Sequence, residues 1–181
     1  IKPTEVSMIT IRDIIQYYAQ YNLNANTRMI AIISDMIQDP INSPLKGYFL
    51  KALGTLLEHI YLADLSWLKA FMELGNYGKD IEEDLGFALE PGKSFFQNFE
   101  DFTLKRQKLD MLIVEFTSKV EEEFFSKKLT IKNSEGEEAE CEAWKAIIQF
   151  FNRQTHYRGQ ISNILDQLHI PNDFSNMILI S

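Results

Sequence analysis

The chain has 181 residues, of which 18 are Lys or Arg and 26 are Asp or Glu, so its formal charge is −8. A typical domain has roughly 100 to 200 residues, so we expect a single domain over residues 1–181. Hydrophobic residues make up 45% and charged residues 24%, which is typical of globular domains and excludes a disordered or fibrous chain.

The acidic charge and the cysteine content indicate which partners and compartment to expect. Proteins that bind nucleic acid use a basic surface that releases counterions from the phosphates, so a charge of −8 argues against such a partner. Cys141 is the single cysteine and cannot form an internal disulfide, which favours a reducing, cytoplasmic location. No apolar run approaches the roughly 18 residues of a membrane span, and no signal-peptide pattern is present. We therefore expect no membrane association.

Apolar residues at helical spacing predict two long helices in the first half of the chain. The first covers residues 9–37. Ser43 as N-cap and Pro44 as the first helical residue predict the start of the second helix. This helix is expected to continue to about Leu74, where Gly75 stands in the position of a C′ glycine.

The second half of the chain predicts two further helices and a small hairpin. The third helix is expected over 99–127 and the last over 143–168. Between them, a short β-branched strand at 129–131 is followed by turn residues and would pair with 139–142. The hairpin would bridge the two helices.

The remaining segments are predicted to be connectors. Glycines and a proline over 75–92 favour a loop with one short helical turn. The apolar tail at 177–180 is too short for a helix and is expected to pack as an extended strap. The predicted fold is therefore all-α, a four-helix bundle with a small β-hairpin insert before the last helix.

The three histidines are the first candidates for a functional site, because bundles build their sites from side chains on facing helices. His59 lies on a line of mostly small residues, which leaves room for a pocket. On the last helix His156 is turned about 130° from the centre of the apolar face, whereas Arg153 and Tyr157 lean toward the core. His169 follows the last helical turn and needs no role beyond contact with terminal carbonyls.

Two segments carry a family resemblance. In 55–68, His59 is followed five residues later by Asp64 and eight residues later by Trp67, and 151–161 reads Phe-Asn-Arg-Gln-Thr-His-Tyr-Arg-Gly-Gln-Ile. Both resemble signatures of the DinB-like superfamily. Two pairs on the first helix add to the resemblance: Tyr21-Asn22 and Ala25-Asn26. The resemblance implies a four-helix bundle with a zinc or nickel site of three histidines, one from the second helix and two at i and i+4 on the last.

The same resemblance places His59 at the first ligand position and Arg153 and Tyr157 at the other two. His156 falls at i+3, about 100° around the helix from the ligand position. The permanent positive charge of an arginine opposes a divalent cation. The departure from the motif implies a chain without a resident metal cofactor and with a pocket for a polar or anionic small molecule. Arg153 would bind a carboxylate there, with Tyr157 and His59 as hydrogen-bonding partners.

Other interpretations stay open. In one, a local shift lets His156 join His59 and a carboxylate such as Asp64 around a metal ion. The resemblance then implies a metal-dependent thiol S-transferase or a hydrolase, so whether the chain is an enzyme is an open question. In another, the residues at the three ligand positions only form a satisfied polar cluster that joins two helices. The competing class is a non-enzymatic module, for example a homodimer that buries an apolar helix face.

Overall fold

The computed structural model describes residues 8–78, 81–85, 95–132 and 136–180. In chain order the elements are α1 (Ile11–Met36), α2 (Leu53–Gly75), α3 (Ile81–Leu85), α4 (Phe99–Lys119), a 3₁₀ helix (Glu122–Ser126), β1 (Lys128–Lys132), β2 (Glu138–Glu142), α5 (Ala143–Gln167) and α6 (Met177–Ile180).

The four long helices form one bundle, because α1 and α2 each pack against both α4 and α5. Strands β1 and β2 pair antiparallel, with Leu129 opposite Cys141, directly before α5. The predicted all-α bundle with a hairpin before the last helix is confirmed. The described helices include none that is long and apolar enough to cross a membrane. Large side chains buried in the shared core include Ile15, Ile33, Leu53, Leu57, Phe102, Phe116 and Phe151.

The predicted start of α2 is wrong, since the helix begins at Leu53 rather than at Pro44. Residues 41–45 run over the first turn of α2 instead. The carbonyl of Ser43 accepts a hydrogen bond from the N–H of Leu53 at 2.8 Å, and the carbonyl of Ile41 accepts from Gly54 at 3.1 Å. These loop carbonyls satisfy N–H groups that a helix start leaves unpaired. A side chain at Gly54 would collide with the backbone of Ile41, so glycine permits this close approach.

Two predicted helix ends also differ from the structure. α4 ends at Lys119 rather than at residue 127, and the acidic run 121–123 supplies the N-cap Glu121 and the first two residues of the separate 3₁₀ helix. Negative charge at a helix C-terminus opposes the helix dipole, which explains the early end. At the end of α2, Asn76 rather than Gly75 adopts the left-handed conformation, with φ of 49°. Asparagine is the non-glycine residue that most often takes this position.

The C-terminal tail is a single helical turn, α6, so the predicted extended strap is wrong. The side chain of Asn176 accepts hydrogen bonds from the N–H groups of Ile178 and Leu179, at 3.2 Å each, and so caps this turn. Within the predicted connector 75–92, α3 supplies the expected short turn of helix. Residues 79–80 and 86–92 of this connector, and the hairpin turn 133–135, lie outside the described residues.

Candidate functional site

Three side chains from α2 and α5 meet at one side of the bundle. The Nε2 atom of His59 lies 2.8 Å from the hydroxyl of Tyr157. Arg153, one turn earlier on α5, donates to the same hydroxyl at 3.2 Å, and its guanidinium lies 5.6 Å from the ring centroid of Tyr157. The structure thus brings together His59, Arg153 and Tyr157, which the sequence singled out. We call these three residues the His59 cluster.

The His59 cluster carries a positive charge next to a neutral imidazole. Partial burial lowers the pKa of His59 below its usual value of 6.5, and the neighbouring Arg153 lowers the pKa further. One ring nitrogen of neutral His59 donates a hydrogen bond and the other accepts one, and the tautomer decides which. At neutral pH the guanidinium of Arg153 therefore carries the charge of the cluster.

Arg153 is half-buried and has no carboxylate partner within the described ranges. Among the described residues its one hydrogen bond goes to Tyr157, and its side chain lines the adjoining cleft. A guanidinium has five donors in a planar fork that matches a carboxylate. In a chain with a net charge of −8, an arginine without an acidic partner is an available anion-binding group.

Two adjoining cavities meet at the His59 cluster. An open cleft of about 860 Å³ has polar walls that include Asn152, Arg153 and Tyr157. A second cavity of about 430 Å³ is bounded on one side by His59 and Tyr157. Its other walls are mostly apolar: Leu45, Gly47, Tyr48, Phe49, Leu50 and Leu56. Both cavities share Tyr48, Tyr157 and Gln160.

The loop between α1 and α2 forms one wall of both cavities. The hydroxyl of Tyr48 accepts a hydrogen bond of 2.6 Å from the side chain of Asn163 on α5, which fastens the loop across the cleft. Gly47 has a φ of 81°, a conformation that glycine adopts without strain. The next residue but one, Phe49, is 95% exposed although it borders the apolar cavity. This loop is the segment that the sequence assigned to α2.

The structure does not bring the other predicted candidates to this cluster. His156 is exposed on α5, as expected, and its Nε2 lies 2.8 Å from the side-chain nitrogen of Gln160. Asp64 is buried and forms an ion pair with Arg106. His169 is exposed after α5, with a left-handed φ of 58°. In the described part of the chain, no group of three or more His, Cys, Asp and Glu side chains is arranged to hold a metal ion.

A second polar cluster, which the sequence analysis does not identify, lies inside the bundle. Arg106 on α4 donates to the carboxylates of Asp64 and Asp110, and all three side chains are buried. Asn26 donates to both oxygens of Asp110 at 3.1 Å, and Asn22 donates to one at 3.2 Å. We call these residues, together with Arg158, the Arg106 network.

Arg158 joins the Arg106 network from α5. It donates to the side-chain oxygens of Asn22 and Asn26, so these amides connect its charge to Asp110. Its guanidinium also lies 5.1 Å from the ring centroid of Tyr21. The network thus contains two carboxylates and two guanidiniums and spans α1, α2, α4 and α5. Burial raises the pKa of the Asp110 carboxyl, and the charge of Arg106 opposes that rise.

A signal for the Arg106 network was present in the sequence. Three of the long helices each place two buried polar residues at i and i+4, a spacing that puts both on one face, and five of these six residues belong to the network. The pairs are Asn22 with Asn26, Arg106 with Asp110, and Gln154 with Arg158. All six side chains are buried. Polar pairs inside an apolar stripe indicate a buried network, whereas the same spacing outside the stripe indicates a solvated face.

The fold and the site define a class of protein: a four-helix bundle with a polar cluster between its second and last long helices. The family model described as "DinB family" matches residues 8–171, so the chain belongs to the DinB family. It is similar to "Protein DinB" of Bacillus subtilis (strain 168), with 22% identity over 152 residues that cover 82% of each chain. No solved structure matches the chain significantly.

The three residues of the His59 cluster do not fit the three-histidine metal site that the family resemblance implies. The resemblance assigns the three ligand positions to a histidine, an arginine and a tyrosine. The guanidinium of Arg153 cannot lose its proton in proteins and so offers no lone pair to a metal. The hydroxyl of Tyr157 already forms hydrogen bonds with both His59 and Arg153. The donor set suits an anion better than a divalent cation.

Proposed function

We propose that this DinB-family chain binds a small polar or anionic molecule in the cleft at the His59 cluster, with a carboxylate as the group it recognises. In this proposal the cluster replaces the family's three-histidine metal site, and the chain has no resident zinc or nickel. The observation that supports it most strongly is Arg153, which lines the cleft and has no carboxylate partner among the described residues.

The geometry of the cluster supports a division of roles. Arg153 supplies the charge and a fork of donors for the carboxylate. Tyr157 holds the guanidinium in place through its hydroxyl, 3.2 Å away, and His59 in turn lies 2.8 Å from that hydroxyl. A side chain held by such contacts loses less conformational freedom when a ligand binds. Arg153 is therefore the binding residue, and Tyr157 and His59 are positioning residues.

The test is a titration of isotope-labelled protein with sodium propionate, followed by amide chemical shifts. We expect saturable shifts for residues around 153–160 of α5, and no saturable binding in Arg153→Gln. Arg153→Lys keeps the charge but removes the fork, so its affinity should be lower than that of the wild type. The matched control is Arg28→Gln, which removes one exposed arginine from α1 and should bind propionate like the wild type.

Three outcomes would overturn the proposal. If Arg153→Gln binds propionate as well as the wild type, the cleft does not use its arginine. If the wild type instead binds zinc or nickel stoichiometrically, and His59→Ala abolishes this binding, the metal-dependent alternative is correct. Absence of both anion and metal binding would leave the His59 cluster as a purely structural contact between α2 and α5. The homodimer and the cytoplasmic location stay predictions.

A further inference from the structure

We infer that the ligands of this chain are amphipathic monocarboxylates, whose carboxylate binds Arg153 and whose hydrocarbon tail enters the cavity beneath residues 48–50. This inference rests on the proposed carboxylate binding at Arg153 and adds the chemistry of the rest of the ligand. It follows from the junction of two unlike cavities at Tyr157 and Gln160.

The walls of the two cavities differ in polarity. Around Arg153, amide and hydroxyl side chains such as Asn152 and Thr155 surround the open cleft. Beyond Tyr157, the smaller cavity is lined mainly by aliphatic and aromatic side chains, which include Leu56 of α2. A ligand that filled both would be polar at one end and apolar at the other. Ligand sites commonly combine apolar walls with a few polar groups that fix orientation.

The loop 38–52 adds an exposed aromatic residue to the apolar side. Phe49 is 95% exposed, yet it borders the cavity, and among the described residues no ring contact accounts for its position there. Large aromatic side chains bury about 150–250 Å² when they pack. The ring of Phe49 could pack against a hydrocarbon tail bound in the cavity. The left-handed Gly47 and the Tyr48–Asn163 hydrogen bond hold the loop at the mouth of the cavity.

The experiment is a calorimetric titration at pH 7 with sodium acetate, butyrate, hexanoate and octanoate. A fully buried methylene contributes about 0.8 kcal/mol, which is roughly a fourfold gain in affinity, and a half-buried one gives about twofold. We therefore expect octanoate to bind at least about tenfold more tightly than butyrate. Hexanol, which has the tail without the charge, should bind more weakly than hexanoate.

The test of location uses Phe49→Ala, and we expect this variant to fold like the wild type because the side chain is exposed. This variant should bind acetate like the wild type but lose most of the increase in affinity with the chain length of the carboxylate. Leu104→Ala, at an exposed apolar position on α4 away from both cavities, is the matched control and should keep the full gain.

The results separate this inference from the proposed function. If affinity does not change with chain length but still depends on Arg153, the inference is wrong and the carboxylate site stands. If affinity rises with chain length equally in Phe49→Ala, the tail binds elsewhere and the inference is wrong. If none of the four carboxylates binds, the proposed function itself fails.

Discussion

Two arginines in this bundle have opposite surroundings. Arg106 is 2% exposed and is bound by two carboxylates, Asp64 and Asp110. Arg153 is half-buried at a cleft, and within the described ranges its one hydrogen bond goes to an uncharged hydroxyl. Arg106 holds helices together, whereas Arg153 keeps its charge available.

The two arginines differ in whether their charge is already neutralised inside the bundle. A buried charge is tolerated only when it is paired and hydrogen-bonded, and Arg106 meets this condition through the carboxylates of Asp64 and Asp110. A charge at a cleft remains partly hydrated and can stay without a carboxylate until a ligand supplies one. Substitutions in the two clusters should therefore affect different measurements.

The largest expected effect is on stability, in Arg106→Met. This change leaves two buried carboxylates without their counter-charge and should lower the free energy of unfolding by about 3–5 kcal/mol. Arg153→Met, which removes a half-exposed arginine, should lower it by less than about 1 kcal/mol. Urea unfolding followed by circular dichroism measures both. Equal losses in the two variants would mean that the clusters do not differ as described.

The next largest effect is expected in a variant in which two residues of the His59 cluster are replaced by histidines. The double variant Arg153→His with Tyr157→His would supply three histidines at the family's ligand positions. Zinc at about one hundred times its dissociation constant should then stabilise the protein by about 2.7 kcal/mol. The wild type should show no such stabilisation in thermal unfolding. Adding His59→Ala to the double variant is the control, and it should remove most of the gain.

The smallest effect is a pH dependence that arises from His59. Burial first, and the charge of Arg153 second, lower the pKa of His59 in the folded protein, whereas the unfolded value is 6.5. As the pH falls toward and below 6.5, His59 binds a proton more readily in the unfolded chain than in the folded one. The free energy of unfolding should therefore fall as the pH decreases. The loss should stay under about 1 kcal/mol, because solvent screens the exposed imidazole.

The variant His59→Asn should remove this part of the pH dependence, while His156→Asn on the exposed face of α5 should leave it unchanged. Urea unfolding between about pH 7 and pH 5 measures it, over the range where a depressed histidine titrates. A stability that rises as the pH decreases in the wild type, and not in His59→Asn, would contradict the lowered pKa.

Helical periodicity predicted most of the fold, and it was wrong where backbone contacts between distant residues decide the outcome. The apolar spacing of α4 and α5 identifies their buried faces directly. The start of α2 could not be predicted in this way. Ser43 and Pro44 match a local start signal, but the carbonyls of Ile41 and Ser43 bind the N-terminus of α2 from outside. Only the folded chain brings these groups together.

The candidate site was predicted in part. The spacing of Arg153 and Tyr157 on α5 and the position of His59 on α2 led to a cluster whose contacts the structure reveals. The apolar cavity was missed, because Tyr48 and Phe49 were assigned to a helix rather than to a loop over the cleft. The loop borders the cleft through the Tyr48–Asn163 contact, which joins residues 115 positions apart, beyond the reach of local patterns.

The central claim is that this DinB-family chain binds an anion through Arg153 without a metal. Calorimetric titration with sodium butyrate in a buffer that contains a strong metal chelator tests it most directly, with the wild type and Arg153→Gln compared side by side. We expect saturable binding in the wild type despite the chelator, and none in Arg153→Gln. Binding that the chelator abolishes and that Arg153→Gln retains would contradict the claim.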